Sequence, residues 1–312
     1  MMEEKKEIFF VFNPIAGKGK VKASLTGILE TFSRAGFRVT VRPTLEKGDA
    51  ERVARELDTG RYGLIAVAGG DGTLDEVVKG IMQREDKASI TVGYMPAGST
   101  NDFAASHGMP SDLSEAAKVI INGCTESYDI GMFNEDSYFI YVAAFGNFTH
   151  ISYDTPQNMK NIFGHAAYMM RVVPELLQFN KIKPYHLKMQ CDGREYEGNY
   201  ALGMITNAKS VGGFSGVLGE NVDMQDGLFE VTLIRMPKGP FDVNVVISKL
   251  LAGDLNNEYM EHFQASEIVM HSEPAVNFSL DGEFGGECND VRLSVLNRKL
   301  MIRVPDVSKN EN

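Results

Sequence analysis

Apolar and polar positions follow two different rhythms along this chain, and the change falls near residue 126. Ile8 to Phe12 is a continuous apolar run that stops at Asn13-Pro14, which reads as a strand covered on both faces. Val21, Leu25, Ile28, Leu29 and Phe32 then recur at helical spacing until Gly36, and Phe37 to Val41 begins a second strand. The same logic predicts a helix over 49–57, a strand at Leu64–Ala68, a helix from Thr73 to about Met82, and a strand at Ile90–Met95 stopped by Pro96. Asp112 and Glu115 cap a further helix carrying Leu113, Ala116, Ala117, Ile120 and Ile121 on one face. A strand–helix alternation of this kind implies a parallel sheet with helices over it.

Beyond residue 126 the period shortens. Ser127–Phe133, Tyr138–Phe145, His186–Cys191, Tyr196–Thr206, Leu228–Arg235, Glu267–His271, Val276–Leu280 and Val291–Leu296 all read as strands. Asn134-Glu135-Asp136, Asp192-Gly193 and Asp281-Gly282 are turn signals between them. Two helical inserts, roughly 159–179 and 240–252, interrupt the pattern. The expectation is an α/β domain over 1–126, rejoined by 297–312, and an all-β, sandwich-like domain over 127–296. A length of 312 residues suits two cores better than one.

Composition narrows the partners. A net charge of −11 provides no global basic field, so nucleic-acid binding is not expected. Cys124, Cys191 and Cys288 are odd in number and lack metal spacing, which predicts buried, reduced thiols in a cytoplasmic protein. The charged start, Met1 to Glu7, does not read as a signal peptide. No apolar run is long enough to span a bilayer, so a lipid substrate would be met from solution. The six histidines show no zinc spacing.

The most informative chemistry lies at 66–75, Ala-Val-Ala-Gly-Gly-Asp-Gly-Thr-Leu-Asp. A buried strand turns through glycines into a helix start, where free amides attract anions. Thr73 and Glu76 have capping-box spacing. Asp71 and Asp75 would repel a bare phosphate there, which implies an intervening divalent cation. Asn13 to Lys20 reads first as a glycine-rich turn and second as a phosphate loop, with Lys18, Lys20 and Lys22 as candidate cations. It matches neither a Walker A loop nor a dinucleotide fingerprint. Gly98-Ser99-Thr100-Asn101-Asp102 leaves the next strand on the same edge, so Asp71 and Asp102 converge. Asp281-Gly282 taken alone is a hairpin turn, and Asp223 to Leu228 is either a tight turn or a small oxygen-ligand cation site. Met159, Ile162, Phe163, Met169 and Met170 fit core packing first and an acyl pocket second.

Taken together, Asn13-Pro14…Gly17, Thr44…Gly48-Asp49-Ala50, Gly69-Gly70-Asp71-Gly72-Thr73, Gly98…Asn101-Asp102-Phe103, Asp226-Gly227-Leu228 and Asp281-Gly282-Glu283 resemble the diacylglycerol kinase catalytic-domain family. The likeness is greatest to its soluble bacterial members, and Ile151 to Pro156 shares in it. The resemblance implies an ATP- and Mg²⁺-dependent kinase that converts diacylglycerol to phosphatidic acid in bacterial phospholipid and lipoteichoic-acid-linked metabolism. It implies ATP on Asn13, Pro14, Ile15, Ala16, Gly17, Thr44, Gly69, Gly70, Asp71, Gly72, Thr73, Leu74, Asp75 and Ser99. It makes Asp281 the general base beside Glu283, gives Asp71 and Asp102 the catalytic metal network, and makes Asp223, Asp226 and Leu228 a structural Mg²⁺ site. It further implies a homodimer that meets lipid peripherally at the inner membrane face, with Lys18 assisting. Ser99, Ala16 and Asp75 depart from the threonine, serine and asparagine usual in the family. Rival readings are a kinase for phosphatidylglycerol, a sphingoid base or NAD, for which Asn134-Glu135 is the relevant pair, and a non-catalytic lipid or nucleotide sensor.

Overall fold

The computed structural model describes residues 6–146, 184–211, 214–215 and 222–306. The Met159–Met170 candidates, the 159–179 insert and the Ile151–Pro156 segment lie outside the described residues. The chain forms two compact units, residues 1–128 with 298–312 and residues 129–297.

In the first unit, strands β1 (Glu7–Phe12), β2 (Arg38–Pro43), β3 (Leu64–Gly69) and β4 (Thr91–Pro96) pair in parallel in the order β2-β1-β3-β4. The C-terminal part of β15 (Glu283–Val304) adds beside β4, with Met301 opposite Thr91. All six residues of β3 are buried, which is the pattern of a strand with both faces covered. Helix α1 (Ala16–Arg34) and helix α5 (Leu113–Asn122) cover one face, so Ile28, Phe32, Ala116 and Ile120 pack with Ile8, Phe10 and Ala66. The α5 cap is the predicted one, with Asp112 accepting from the amides of Ser114 and Glu115. Helices α2 (Asp49–Arg55) and α3 (Asp71–Met82) and the short α4 (Asp102–Ser106) complete the unit.

Helix α3 begins two residues earlier than the sequence pattern indicated, and the Thr73–Glu76 capping box does not form. Glu76 faces the other way, accepting from the amides of Gly48 (2.9 Å) and Ala50 (3.2 Å). A carboxylate that can satisfy two orphan amides on α2 is better placed there than on its own helix.

The second unit is antiparallel. Its strands are β5 (Cys124–Phe133, which starts in the first unit), β6 (Ser137–Phe139), β7 (Val142–Gly146), β8 (Tyr185–Cys191), β9 (Arg194–Thr206), β12 (Phe229–Arg235), β13 (Met260–Ala265), β14 (Glu267–Leu280) and the start of β15, with short β10 (Ser210–Val211) and β11 (Phe214–Ser215). Pairing runs β13-β12-β9-β7-β14-β15, and β8 joins both β9 and β14. Helix α6 (Pro240–Leu251) packs Val246 against Ile234 and Met260. The core of this unit is built from Phe133, Phe145, Phe229, Phe278 and neighbouring aliphatics. The single strand expected over 138–145 is instead two, broken at Ile140 and Tyr141. Conversely, the runs at 267–271 and 276–280 form one strand with an irregularity between His271 and Val276. Of the three thiols only Cys191 is buried, while Cys124 and Cys288 are half-buried.

Candidate active site

Parallel pairing carries three loops to one edge of the first unit's sheet. The β1 loop leaves Phe12 through Asn13, whose side-chain oxygen accepts from the Ile15 amide at 3.1 Å. Gly17, Lys18 and Gly19 follow with φ of 59°, 57° and 86°. This left-handed run costs about 1–2 kcal/mol at a residue with a side chain, so glycine on either side of Lys18 eases the turn. A Cβ on Gly17 would lie 2.7 Å from the Ala97 carbonyl oxygen, so the β1 loop rests directly on the β4 loop.

The β3 and β4 loops meet as closely. A Cβ on Gly98 would approach the Gly70 Cα to 2.6 Å. Asn101 clips its own loop shut, accepting from the Gly98 amide (2.8 Å) and donating to the Gly98 carbonyl (3.0 Å). Asp71 joins the two loops, its Oδ2 accepting from the Asp102 amide at 3.3 Å. Its Oδ1 is enclosed and without a well-aligned donor, and the neighbouring Tyr94 hydroxyl lies close to it while donating to the Gly69 carbonyl at 3.3 Å. Burial pushes the Asp71 carboxyl up to about 7, the charge of Asp102 adds to the effect, and the amides of residues 101 to 103 oppose it. The Tyr94 hydroxyl is likewise raised, by burial first and then by Asp71 and Asp102.

Asp71 and Asp102 therefore do converge, and Asp102 is buried. Asp75 is a different case. It is buried on α3, and its Oδ2 is paired with Lys79 at 2.7 Å, which offsets its charge. Among the lysines, Lys20 donates to the Ser111 carbonyl at 2.7 Å, while Lys18 and Lys22 are exposed. Thr44 is half-buried, and Ser99 is exposed on the β4 loop.

Asp281 belongs to the second unit. With Gly282 it forms the two-residue turn between β14 and β15, at φ of 50° and 86°. The turn reading is correct, yet the side chain does more than turn. It is 7% exposed, and its carboxylate accepts from the amides of Ile140 (2.6 Å), Tyr141 (3.0 Å) and Val142 (2.9 Å). Tyr141 returns a hydroxyl bond to the Asp281 carbonyl at 2.9 Å. The break between β6 and β7 is thus the place where the backbone turns its amides onto Asp281. Glu283 is exposed at the first position of β15.

The Asp223–Leu228 segment folds as two side-chain turns, Asp223 accepting from the Gln225 amide (3.0 Å) and Asp226 from the Leu228 amide (2.9 Å). Buried Asp129 braces it, accepting from the amide of Gly227 (2.7 Å) and from the Asn297 side chain (2.9 Å). Burial raises the Asp226 carboxyl, the Leu228 amide opposes this, and the charges of Asp223, Asp129 and Glu230 add to it. Among the described residues no group of three or more His, Cys, Asp or Glu is arranged to hold a metal ion. Asp129 was not singled out in the sequence, although an acid between Tyr128 and Ile130 in an apolar strand was a usable signal. Asn134 and Glu135 sit in the β5–β6 turn, where Asn134 has φ of 54° and accepts from the Arg292 amide.

A parallel sheet with glycine-rich loops gathered at one edge, followed by an antiparallel β unit, is the architecture of a kinase of the diacylglycerol kinase catalytic type. The diacylglycerol kinase catalytic domain family matches residues 7–133, and the YegS C-terminal NAD kinase beta sandwich-like domain matches residues 150–303. A diacylglycerol kinase of Bacillus subtilis (strain 168) is 32% identical over 90% of this chain and 91% of its own. One of Staphylococcus saprophyticus is 31% identical over 98% of both chains. A crystal structure of a diacylglycerol kinase from Bacillus anthracis str. Sterne shares the fold with a TM-score of 0.75 at 24% identity, covering 97% of this chain and 98% of that one. The chain belongs to the diacylglycerol kinase family. No helix among the described residues is long and apolar enough to cross a membrane.

Proposed function

We propose that this protein transfers the γ-phosphoryl group of ATP to the free hydroxyl of diacylglycerol, giving phosphatidic acid and ADP. The observation that carries the reading is the convergence of the Gly17, Gly70 and Gly98 loops on one sheet edge, with the enclosed Asp71 carboxyl between them. Such an edge offers backbone amides and a helix start to the phosphates. Family membership supports the lipid acceptor.

In this reading Asn13 to Gly17, Thr44, Gly69 to Asp75 and Ser99 hold the nucleotide. Asp281 aligns the attacking hydroxyl and receives its proton as the new P–O bond forms and the bond to ADP breaks. Phosphoryl transfer is mostly positioning and charge neutralisation, so a carboxylate held by three amides suits an aligning role. Asp71 and Asp102, and separately Asp223, Asp226 and the Leu228 carbonyl, offer the hard oxygen donors that Mg²⁺ takes, and the enclosed Asp71 Oδ1 fits that chemistry. Bound Mg²⁺ would offset the phosphate charge. Peripheral contact with the membrane and a homodimer belong to the same proposal.

The test is a set of parallel incubations with ATP and Mg²⁺, offering diacylglycerol in micelles, phosphatidylglycerol, sphingosine or NAD. Phosphatidic acid from diacylglycerol is the expected product. Phosphorylation of NAD alone overturns the lipid acceptor, and tight ATP binding with no product from any alcohol favours a sensor. The NAD alternative has less support, since Asn134 is occupied in holding the Arg292 backbone.

A further inference from the structure

Ile140, Tyr141 and Val142 hold Asp281 through its carboxylate, its carbonyl and its amide alike. The carboxylate accepts from all three amides, the carbonyl accepts from the Tyr141 hydroxyl, and the Asp281 amide donates to the Val142 carbonyl at 2.8 Å. The tripeptide also has supports of its own. Phe139, just before it, is fully buried, lies opposite Gly131 on β5 and stacks on Phe229 of β12 with ring centroids 5.4 Å apart. Val142, at its end, lies opposite Thr206 of β9, and the Asn207 amide donates to the Tyr141 carbonyl at 3.0 Å. These contacts involve no atom of the Asp281 side chain. Residues 140 to 142 are each at most 8% exposed, so their amides lie away from bulk water.

We propose that residues 140–142 form a preformed receptor for a carboxylate, and that Tyr141 is a positioning residue for the reaction. The inference rests on the reading of Asp281 as the group that aligns the lipid hydroxyl and receives its proton. Three convergent buried donors favour an anion, because leaving them unpaired is costly. Asp281 sits at φ of 50°, a conformation that residues with a side chain seldom adopt. The Tyr141 hydroxyl secures that conformation and so fixes the direction in which the carboxylate leaves the turn. Alignment of the attacking oxygen depends on such a direction, since a small misplacement costs much of the rate.

A receptor built by the backbone outlives the side chain that fills it. Asp281→Gly suits the left-handed conformation and vacates the receptor, whereas Asp281→Asn leaves it filled. Formate carries the same carboxylate and fits the space left by Asp281→Gly. There it takes the hydroxyl proton as the new P–O bond forms and the bond to ADP breaks, and it departs as formic acid.

The experiment uses the full chain with ATP, Mg²⁺ and diacylglycerol micelles, in sodium formate or in sodium chloride of matched ionic strength. Asp281→Gly, Asp281→Asn and Tyr141→Phe are compared with Asp192→Gly, which alters an exposed Asp-Gly turn. Formate is expected to raise the turnover of Asp281→Gly at least about tenfold and to raise its urea midpoint. Neither effect is expected in chloride, in Asp281→Asn or in Asp192→Gly, and Asp192→Gly should keep the parent turnover. Tyr141→Phe should lose about tenfold in kcat, with KM for ATP and for lipid within about twofold of the parent. A merely structural role for Tyr141 would lower the urea midpoint without that split. An unmoved midpoint in Asp281→Gly overturns the receptor, as does failure of that variant to fold even in formate or an equal response in Asp281→Asn. Parent kcat in Tyr141→Phe overturns the positioning role. A midpoint response without turnover keeps the receptor and removes Asp281 from the chemistry. If the midpoint responds but the parent phosphorylates no lipid, the receptor stands and the lipid-kinase reading falls, with the positioning role.

Discussion

Asp281 and Asp192 share one local structure and differ in surroundings. Each opens an Asp-Gly turn with two positive φ angles, and each gives its carboxylate to the backbone of a neighbouring strand. Asp192 does this in solvent, at the start of β14, while Asp281 does it at 7% exposure. Asparagine at either site would set an NH₂ group against an amide donor; buried Asp281→Asn is expected to lose about 1–3 kcal/mol of stability in urea unfolding, and solvated Asp192→Asn less, because water can satisfy the groups left unpaired there. Only Asp281→Asn is expected to lower kcat, by about 10²–10⁴-fold, with ATP affinity nearly intact. Normal turnover in that variant would remove Asp281 from the chemistry. Asp71 supplies a pH test. Its folded value, about 7, lies above the ordinary 3.8. The folded state therefore holds the proton more tightly, and the associated stability is full below about pH 4 and lost as pH rises through about 7. In urea unfolding from pH 4 to 8, wild type should lose stability relative to Asp71→Asn across that window. Parallel curves for the two proteins would contradict the assignment.

Single elements were legible where one local rule decided them. The α5 cap, the buried β3 run and the Asp-Gly turns each follow from residues within a few positions. Glu76 shows where local reading stops. Its spacing from Thr73 fits a cap, but its carboxylate is spent 28 residues upstream on Gly48 and 26 upstream on Ala50. Glu76→Ala is expected to cost about 1–3 kcal/mol and to loosen the 44–48 loop, read as a lower urea midpoint. A midpoint equal to wild type would show those bonds to be energetically idle. The broken strand at 140–141 has the same origin, because the carboxylate that binds those amides comes from residue 281.

Over the whole molecule the net charge is −11, so an anionic bilayer repels the protein at long range. The Debye length falls from about 30 Å at 0.01 M salt to about 8 Å at 0.15 M. Turnover on anionic vesicles containing diacylglycerol is accordingly expected to rise over that range. A fall would mean that a local basic patch, with Lys18 the first candidate, governs docking.

The sequence by itself determined the alternation of elements, the two rhythms and the glycine- and acid-bearing loops, because periodicity and turn chemistry act over a few residues. It carried the family resemblance for the same reason, since the motifs are short and lie in order. Only the tertiary structure decided which carboxylates meet which amides. It spent Asp75 on Lys79, turned Glu76 onto α2 and braced the 223–228 turn with Asp129. A buried charge takes whatever donors the packing brings within about 3 Å, and strand order sets those neighbours where sequence spacing does not.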